Sequence, residues 1–166
     1  LAIAGTRERT TLAWASSLVA VKGEGFTSDY IKGLLGNGLK ILSDNTEVWQ
    51  GVGRGEFAIG LTNSPNYHLA LKMGLPVGVV YPDQGPEGMG TLINANAAAV
   101  IKGAKNPEAA RKLIDFLLSP EGQRILVTAD YEIPMLPDVD PGEVRPAQSL
   151  KQPPVTEQRL AALAEP

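Results

Sequence analysis

The chain has no cysteine and a single histidine, His68. The lack of cysteine excludes disulfides, thiolate metal sites and cysteine nucleophiles. One imidazole is too few for the zinc sites that several histidines build, and it leaves Ser-His-Asp catalysis with only one base to use. These shortages argue against much of hydrolase chemistry.

Basic residues are not in surplus, and long apolar runs are missing. The 15 Lys and Arg residues are outnumbered by 18 Asp and Glu residues, for a formal net charge of -3. Nucleic acid is therefore not expected as a partner, because a phosphate backbone attracts a positive surface. No stretch approaches the roughly 20 apolar residues that span a bilayer, so no membrane span is expected. The 43% of hydrophobic residues in a chain of 166 suffices for one globular core.

Short apolar runs alternate with helical patterns along the first half of the chain. Strands are predicted at 1–4, 39–42, 57–61 and 76–81, with helices at 6–21, 28–35, 46–53 and 65–73. One or two buried strands are predicted within 91–102, helices from 106 to 118 and from 120 onward, and a short helix at 155–164. This alternation, with short connections, predicts an α/β fold with mainly parallel strands.

Several segments follow one another in an order typical of a known family. They are GEFAIGLTN at 55–63, VVYPDQG at 79–85, GTL at 90–92, KGAKNPEAA at 102–110, LIDFLLSPEGQ at 113–123 and YEIP at 131–134. Together they resemble the extracytoplasmic solute-binding proteins of ABC importers, of the ferric-iron-binding type. The resemblance covers residues 1 to about 140 and only the later half of the usual family sequence.

The resemblance implies an α/β lobe of the type II periplasmic-binding-protein kind. Such a lobe has three layers and a mixed, mainly parallel sheet, and here it is incomplete relative to the two-lobe family. Residues 1–92 are expected to form the C-terminal ligand-binding lobe, 93–136 the hinge return with a remnant of the N-terminal lobe, and 137–166 a proline-rich tail ending in a short helix. The helices at 106–118 and 120–129 would then lack their usual sheet, and their exposed apolar faces favour self-association.

Three polar corners follow predicted strands and are candidate ligand sites. In open α/β sheets, ligands collect at the carboxyl ends of strands, where helix N termini offer unpaired N–H groups. The candidate ligand-binding residues at these corners are Thr6, Arg7, Asn45, Asn63, Ser64, Asn66 and Tyr67. Asn45 and Asn63 are also interpreted as helix caps.

Tyr67 is the candidate metal ligand. In the iron-binding family, two adjacent tyrosines supply phenolate oxygens to ferric iron, a hard cation that favours anionic oxygen. Here the corresponding segment has one tyrosine followed by His68, which departs from the pair. The alternatives are a packing role for Tyr67 and a packing or surface role for His68, since neighbouring helical positions diverge by about 100°.

The resemblance implies a substrate-binding component of an ABC transporter, which captures ferric iron, with or without a synergistic anion. No cofactor is required, the partner is the transporter permease, and the location is periplasmic or otherwise extracytoplasmic, with the signal peptide outside this chain. The alternatives are a binding protein for a phosphonate or other small organic anion and a ligand-sensing regulatory domain. No catalytic motif pairs the acids with His68, so the chain is not expected to be an enzyme. These acids are Asp44, Glu47, Asp83 and Glu87.

Overall fold

The structure is a computed structural model, and it describes residues 1–164. The chain divides into two compact units. The first contains Leu1–Asn94 and the described residues from Lys151 onward, and the second contains Ala95–Leu150. No helix within residues 1–164 is both long enough and apolar enough to cross a membrane.

A small parallel sheet lies at the centre of the first unit. Strand β1 (Ala2–Ala4) pairs on one side with β2 (Lys40–Leu42) and on the other with β3 (Gly60–Leu61). Both pairings are parallel, and Ala2 lies opposite Lys40 in one and opposite Gly60 in the other. All three strands therefore end at the same edge of the sheet, as a parallel arrangement requires.

Five helices accompany this sheet, and each of the three strands leads into one of them. They are α1 (Arg9–Lys22), α2 (Glu24–Gly36), α3 (Asn45–Gly53), α4 (Ser64–Lys72) and α7 (Glu157–Ala164). Helix α3 covers the sheet, where Val48 packs with Ala2 and Ala4 in a buried cluster. Helix α1 contacts both α2 and α7. Burial of this apolar cluster is the main force that holds α3 on the strands.

The second unit is helical and irregular. It contains α5 (Pro107–Leu118), α6 (Pro120–Asp130) and a 3-10 turn at Ala147–Ser149. The two helices contact each other, and a separate small core consists of Val127, Val139 and Val144. No residue of α5 is buried, although the sequence of this helix is strongly amphipathic.

The strands predicted at 76–81 and 91–102 are wrong, because neither segment is a strand in the structure. A strand needs a neighbour to take up its backbone N–H and C=O groups. Within residues 1–164 no strand pairs with these segments, and several of their apolar side chains are exposed to solvent, as at Val80 (86% exposed) and Ile101 (79% exposed). The prediction depended on apolar composition alone, and the described residues provide no strand that pairs with these segments.

Several element boundaries also differ from the prediction, and two of them have a clear local cause. Strand β3 begins at Gly60 instead of residue 57, because the N–H of Phe57 donates to the carbonyl of Gly51 at 3.4 Å and so belongs to the turn after α3. Helix α2 begins at Glu24 instead of residue 28. Gly23, with φ of 84°, turns the chain sharply between α1 and α2, so the new helix starts at once.

Candidate ligand site at the carboxyl ends of the strands

The three predicted corners lie at one edge of the sheet. Helix α1 follows β1, α3 follows β2 and α4 follows β3, so three helix N termini stand beside the carboxyl ends of the strands. The N–H of Gly5 donates to the carbonyl of Leu42 at 2.9 Å, which extends the contact between β1 and β2 beyond the strands. Each helix N terminus carries a partial positive charge and unpaired N–H groups.

Asn45 is the centre of a hydrogen-bond network that joins these corners. Its Nδ2 donates to Glu8 Oε2 at 3.3 Å and to Thr10 Oγ1 at 3.1 Å. Its Oδ1 accepts from Thr62 Oγ1 at 3.1 Å. Glu8 and Thr10 follow β1, Asn45 follows β2 and Thr62 follows β3, so one side chain links the ends of all three strands.

The network continues from Thr62 into the start of α4. Asn66 Nδ2 donates to Thr62 Oγ1 at 2.8 Å and to Asn63 Oδ1 at 2.5 Å. The oxygens of Thr62 and Asn63 also lie 3.3 Å apart. Two of the predicted residues, Asn63 and Asn66, therefore lie in the same polar cluster as Asn45.

The predicted capping roles of Asn45 and Asn63 are wrong. Asp44 is the residue that caps α3, because its Oδ1 accepts from the N–H of Glu47 at 2.9 Å, while Glu47 Oε2 accepts from the N–H of Ser43 at 3.0 Å. Asn45 is the first residue inside that helix, which leaves its amide for the network. Asn63 occupies the N-cap position of α4 but makes no side-chain cap bond, because its oxygen accepts from Asn66 instead.

Four other predicted residues lie near the cluster in sequence but outside the network. Within residues 1–164 no hydrogen bond involves the side chain of Thr6, Arg7, Ser64 or Tyr67. Thr6 and Arg7 are exposed, and Ser64 and Tyr67 are half-buried.

Tyr67 and His68 differ in their surroundings although they are adjacent. Their rings meet edge to face, with centroids 5.0 Å apart and an interplanar angle of 64°. His68 is buried, with 5% of its surface exposed, whereas Tyr67 keeps a larger share of its surface in solvent. His68 is therefore a packing residue of α4 and not a surface residue.

Sequence reasoning missed Glu8, and it did not include Thr10 or Thr62 among the candidate ligand residues, although Thr62 begins the third predicted corner. The sequence feature that could have identified Glu8 is its position, because it lies directly before α1 in the turn that follows β1. Its carboxylate makes no cap bond to its own helix and is turned to Asn45. A polar residue at an N-cap position is ordinarily assigned to its own helix, and only the contact with the distant Asn45 reveals another role.

Charges of both signs lie near this edge. Glu8, Asp44 and Glu47 contribute carboxylates, and Arg7 and Arg9 contribute exposed positive charges. No group of three His, Asp or Glu side chains within residues 1–164 has the geometry of a metal site. The oxygen atoms of Asn45, Thr62 and Asn63 are the other groups gathered here that could contact a ligand.

A parallel α/β sheet with polar side chains gathered at its carboxyl edge is the arrangement in which open α/β proteins commonly bind ligands. Residues 6–154 match the family model described as a bacterial extracellular solute-binding protein. The match spans most of the chain, and the chain belongs to this family. The resemblance found in the sequence is thereby confirmed.

Two curated relatives are similar to much of the chain. Iron uptake protein A1 of Synechocystis is 34% identical over 140 residues, which are 80% of this chain and 34% of that protein. The major ferric iron-binding protein of Neisseria meningitidis serogroup A is 34% identical over 125 residues, which are 74% of this chain and 38% of that protein. The chain therefore spans less than half the length of these relatives.

Two solved structures share the fold. Iron-bound HitA from Pseudomonas aeruginosa superposes with a TM-score of 0.81 at 27% identity, over 98% of this chain and 55% of that one. The ferric binding protein from Campylobacter jejuni has a TM-score of 0.84 at 24% identity, over 98% and 54%. The predicted α/β fold of the type II periplasmic-binding-protein kind is confirmed. All strand pairings in the described sheet are parallel. The chain covers 55% of the HitA structure, which is consistent with a partial lobe.

Proposed function

We propose that this chain is part of the substrate-binding component of an ABC importer, which captures ferric iron outside the cytoplasm and delivers it to a transporter permease. The observation that carries the proposal is the joining of three strand ends by the Asn45 network, in a chain whose relatives include iron-binding proteins. Binding of a solute at this edge requires no catalytic group and no resident cofactor.

Tyr67 is the proposed metal ligand on this chain. Its phenol is the acidic oxygen group closest in sequence to the network residue Asn66, and ferric iron lowers the pKa of a phenol that binds it. Tyr67 is only partly buried, so part of its side chain remains open to solvent. The proposed ligand set at this edge also includes Thr6, Arg7, Asn45, Asn63, Ser64 and Asn66.

The experiment is a titration of the chain with ferric nitrilotriacetate, followed by calorimetry and visible absorption, with and without carbonate or phosphate. A phenolate-to-iron charge-transfer band is expected, and it should disappear in Tyr67→Phe. Tyr30→Phe is the matched control, because Tyr30 lies on α2 and stacks on Phe26 with ring centroids 6.0 Å apart. Iron that causes no band and binds Tyr67→Phe as tightly as the unchanged chain would contradict the metal role.

A second candidate is binding of a phosphonate or another small organic anion. It is favoured by the three helix N termini beside the carboxyl ends of β1, β2 and β3, because such termini attract anions. Titration with methylphosphonate under the same conditions separates the two functions. Heat released by methylphosphonate without any metal would favour the second candidate.

A further inference from the structure

Glu8 occupies the N-cap position of α1, but its side chain does not cap that helix. It precedes the first residue of α1, yet its carboxylate makes no bond to the N–H groups of that helix. Its backbone is fixed on both sides, since its N–H donates to Gly5 at 3.0 Å and its carbonyl accepts from Leu12 at 3.1 Å. The side chain is half-buried and reaches Asn45, which lies 37 positions further along the chain.

Glu8 and Thr10 together occupy both N–H groups of the Asn45 amide. A side-chain amide has two N–H donors, and here one partner is Glu8 Oε2 at 3.3 Å and the other is Thr10 Oγ1 at 3.1 Å. The amide oxygen is thereby turned toward Thr62, whose hydroxyl donates to it at 3.1 Å. The orientation of Asn45 is fixed by three partners, of which Glu8 is the only charged one.

The amide of Asn66 is occupied in the same way. Its Nδ2 donates to both Thr62 and Asn63, so its N–H groups are also taken within the cluster. The Asn45 and Asn66 side chains consequently offer oxygen lone pairs, and not N–H groups, to anything that arrives at this edge. The carboxylate of Glu8 also offsets part of the positive potential of the helix N termini.

We propose that Glu8 is a positioning residue that holds Asn45 with its oxygen toward Thr62 and makes this edge discriminate against free small anions. The edge then favours a metal cation or a ligand with N–H or O–H donors. The part of this proposal that concerns selectivity rests on the proposed function, whereas the orientation of Asn45 does not.

The first test uses the ligand-free chain and the side-chain NH2 signals of Asn45 in a 1H–15N spectrum. Glu8→Ala should shift these signals and speed their exchange with water, whereas Glu8→Gln, which keeps an acceptor oxygen, should largely preserve them. Glu24→Ala is the control, because Glu24 is an exposed acid in the first turn of α2 and lies outside the network. Asn45 signals that stay in place in Glu8→Ala would overturn the positioning role. If Glu8→Ala fails to fold, Glu8→Asp decides, because its carboxylate is one methylene shorter and should shift the same signals by weakening the bond to Asn45.

The second test is the affinity for inorganic phosphate in the absence of metal. Loss of one negative charge beside the Asn45 network should strengthen phosphate binding by about three- to tenfold in both Glu8→Gln and Glu8→Ala. Glu24→Ala should bind phosphate as the unchanged chain does. Equal or weaker phosphate binding by the Glu8 variants would overturn the selectivity. If ferric iron binds none of these proteins, the proposed function fails, while the ligand-free spectra still decide the role of Glu8.

Discussion

The hydroxyl of Thr62 donates to the side-chain oxygen of Asn45 at 3.1 Å, which joins the ends of two strands that are not neighbours in the sheet. Thr62 follows β3 and Asn45 follows β2, and β1 lies between them. The bond therefore crosses the end of the central strand. This crossing turns three separate corners into one polar site.

Thr62→Val should break the link between Asn45 and Asn66 that runs through the Thr62 hydroxyl. Valine has nearly the shape of threonine but no hydroxyl, so the bonds to Asn45 and Asn66 are lost and the Asn66 amide keeps only its bond to Asn63. A loss of about 1 kcal/mol in the free energy of unfolding is expected, which is the typical net value of a hydrogen bond. Urea denaturation measures this loss, and the Asn66 side-chain NH2 signals should shift in the same variant.

The control for this substitution is Thr46→Val. Thr46 is exposed in the first turn of α3, and within residues 1–164 no hydrogen bond involves its hydroxyl. A Thr62→Val protein that unfolds at the same urea concentration as Thr46→Val, with unchanged Asn66 signals, would show that the crossing bond is not formed in solution.

Gly60 should not tolerate a side chain. A Cβ atom at this position would lie 2.8 Å from Val48 Cγ1 and 2.8 Å from Val52 Cγ2, which is closer than real carbon contacts. Gly60→Ala therefore pushes α3 off the sheet or forces these valines from their rotamers, at a cost of about 1 to 3 kcal/mol in the free energy of unfolding. The denaturation midpoint should fall accordingly.

Gly33→Ala is the opposite control for the same chemical change. Gly33 lies inside α2, and a Cβ atom there meets nothing within 4 Å. Alanine favours a helix over glycine by about 0.5 to 1 kcal/mol, so this variant should be more stable than the unchanged chain. If Gly60→Ala were stabilised to the same extent, the close packing of α3 on β3 would be contradicted.

The sequence predicted the fold where local signals and long-range pairing agree. Strands β1 and β2 were found because short apolar runs end at turn residues, and α5 and α6 were found because Pro107 and Pro120 each follow a capping residue. The segments at 76–81 and 91–102 have the same apolar composition but no pairing strand within residues 1–164. Strand pairing depends on residues that are distant in sequence, and local composition carries no information about them.

The Arg54–Glu56 ion pair makes a small part of the stability of the chain depend on pH. Arg54 Nε donates to Glu56 Oε1 at 2.6 Å, and this hydrogen bond holds the pKa of the Glu56 carboxyl below its usual value. Because the folded pKa is lowered, the contribution of the pair to stability is complete above the unfolded pKa of Glu56 and is lost as the pH falls through the folded pKa. Both groups are fully exposed, so the effect is small and sensitive to salt.

Arg54→Gln should raise the pKa of Glu56 toward its ordinary value. The carboxyl 13C shift of Glu56 followed against pH measures this change directly. Lys22→Gln is the control, since it removes a positive charge that forms no ion pair with Glu56. A Glu56 titration that is the same in Arg54→Gln and in the unchanged chain would contradict the pairing.

The candidate site was predicted in outline but not in its connections. Asn45, Asn63 and Asn66 were selected because they are polar residues at strand ends, and the structure brings these three together. Glu8 was missed and Thr62 was not among the candidate ligands, since their roles depend on contacts across 37 and 17 positions. A local pattern shows which residues follow a strand, whereas the sheet order β2-β1-β3 decides which of them meet.

The chain is expected to self-associate through α5. Leu113, Phe116 and Leu118 on this helix are 58%, 40% and 51% exposed, and no residue of α5 is buried. Exposed apolar side chains along one helix favour pairing with a second apolar surface, because pairing removes them from water. Light scattering should therefore show a mass that rises with protein concentration. Leu113→Gln combined with Phe116→Ser should shift the chain toward the monomer, whereas Lys112→Gln, on the same helix, should not. A monodisperse monomer of the unchanged chain across the concentration range would contradict this expectation.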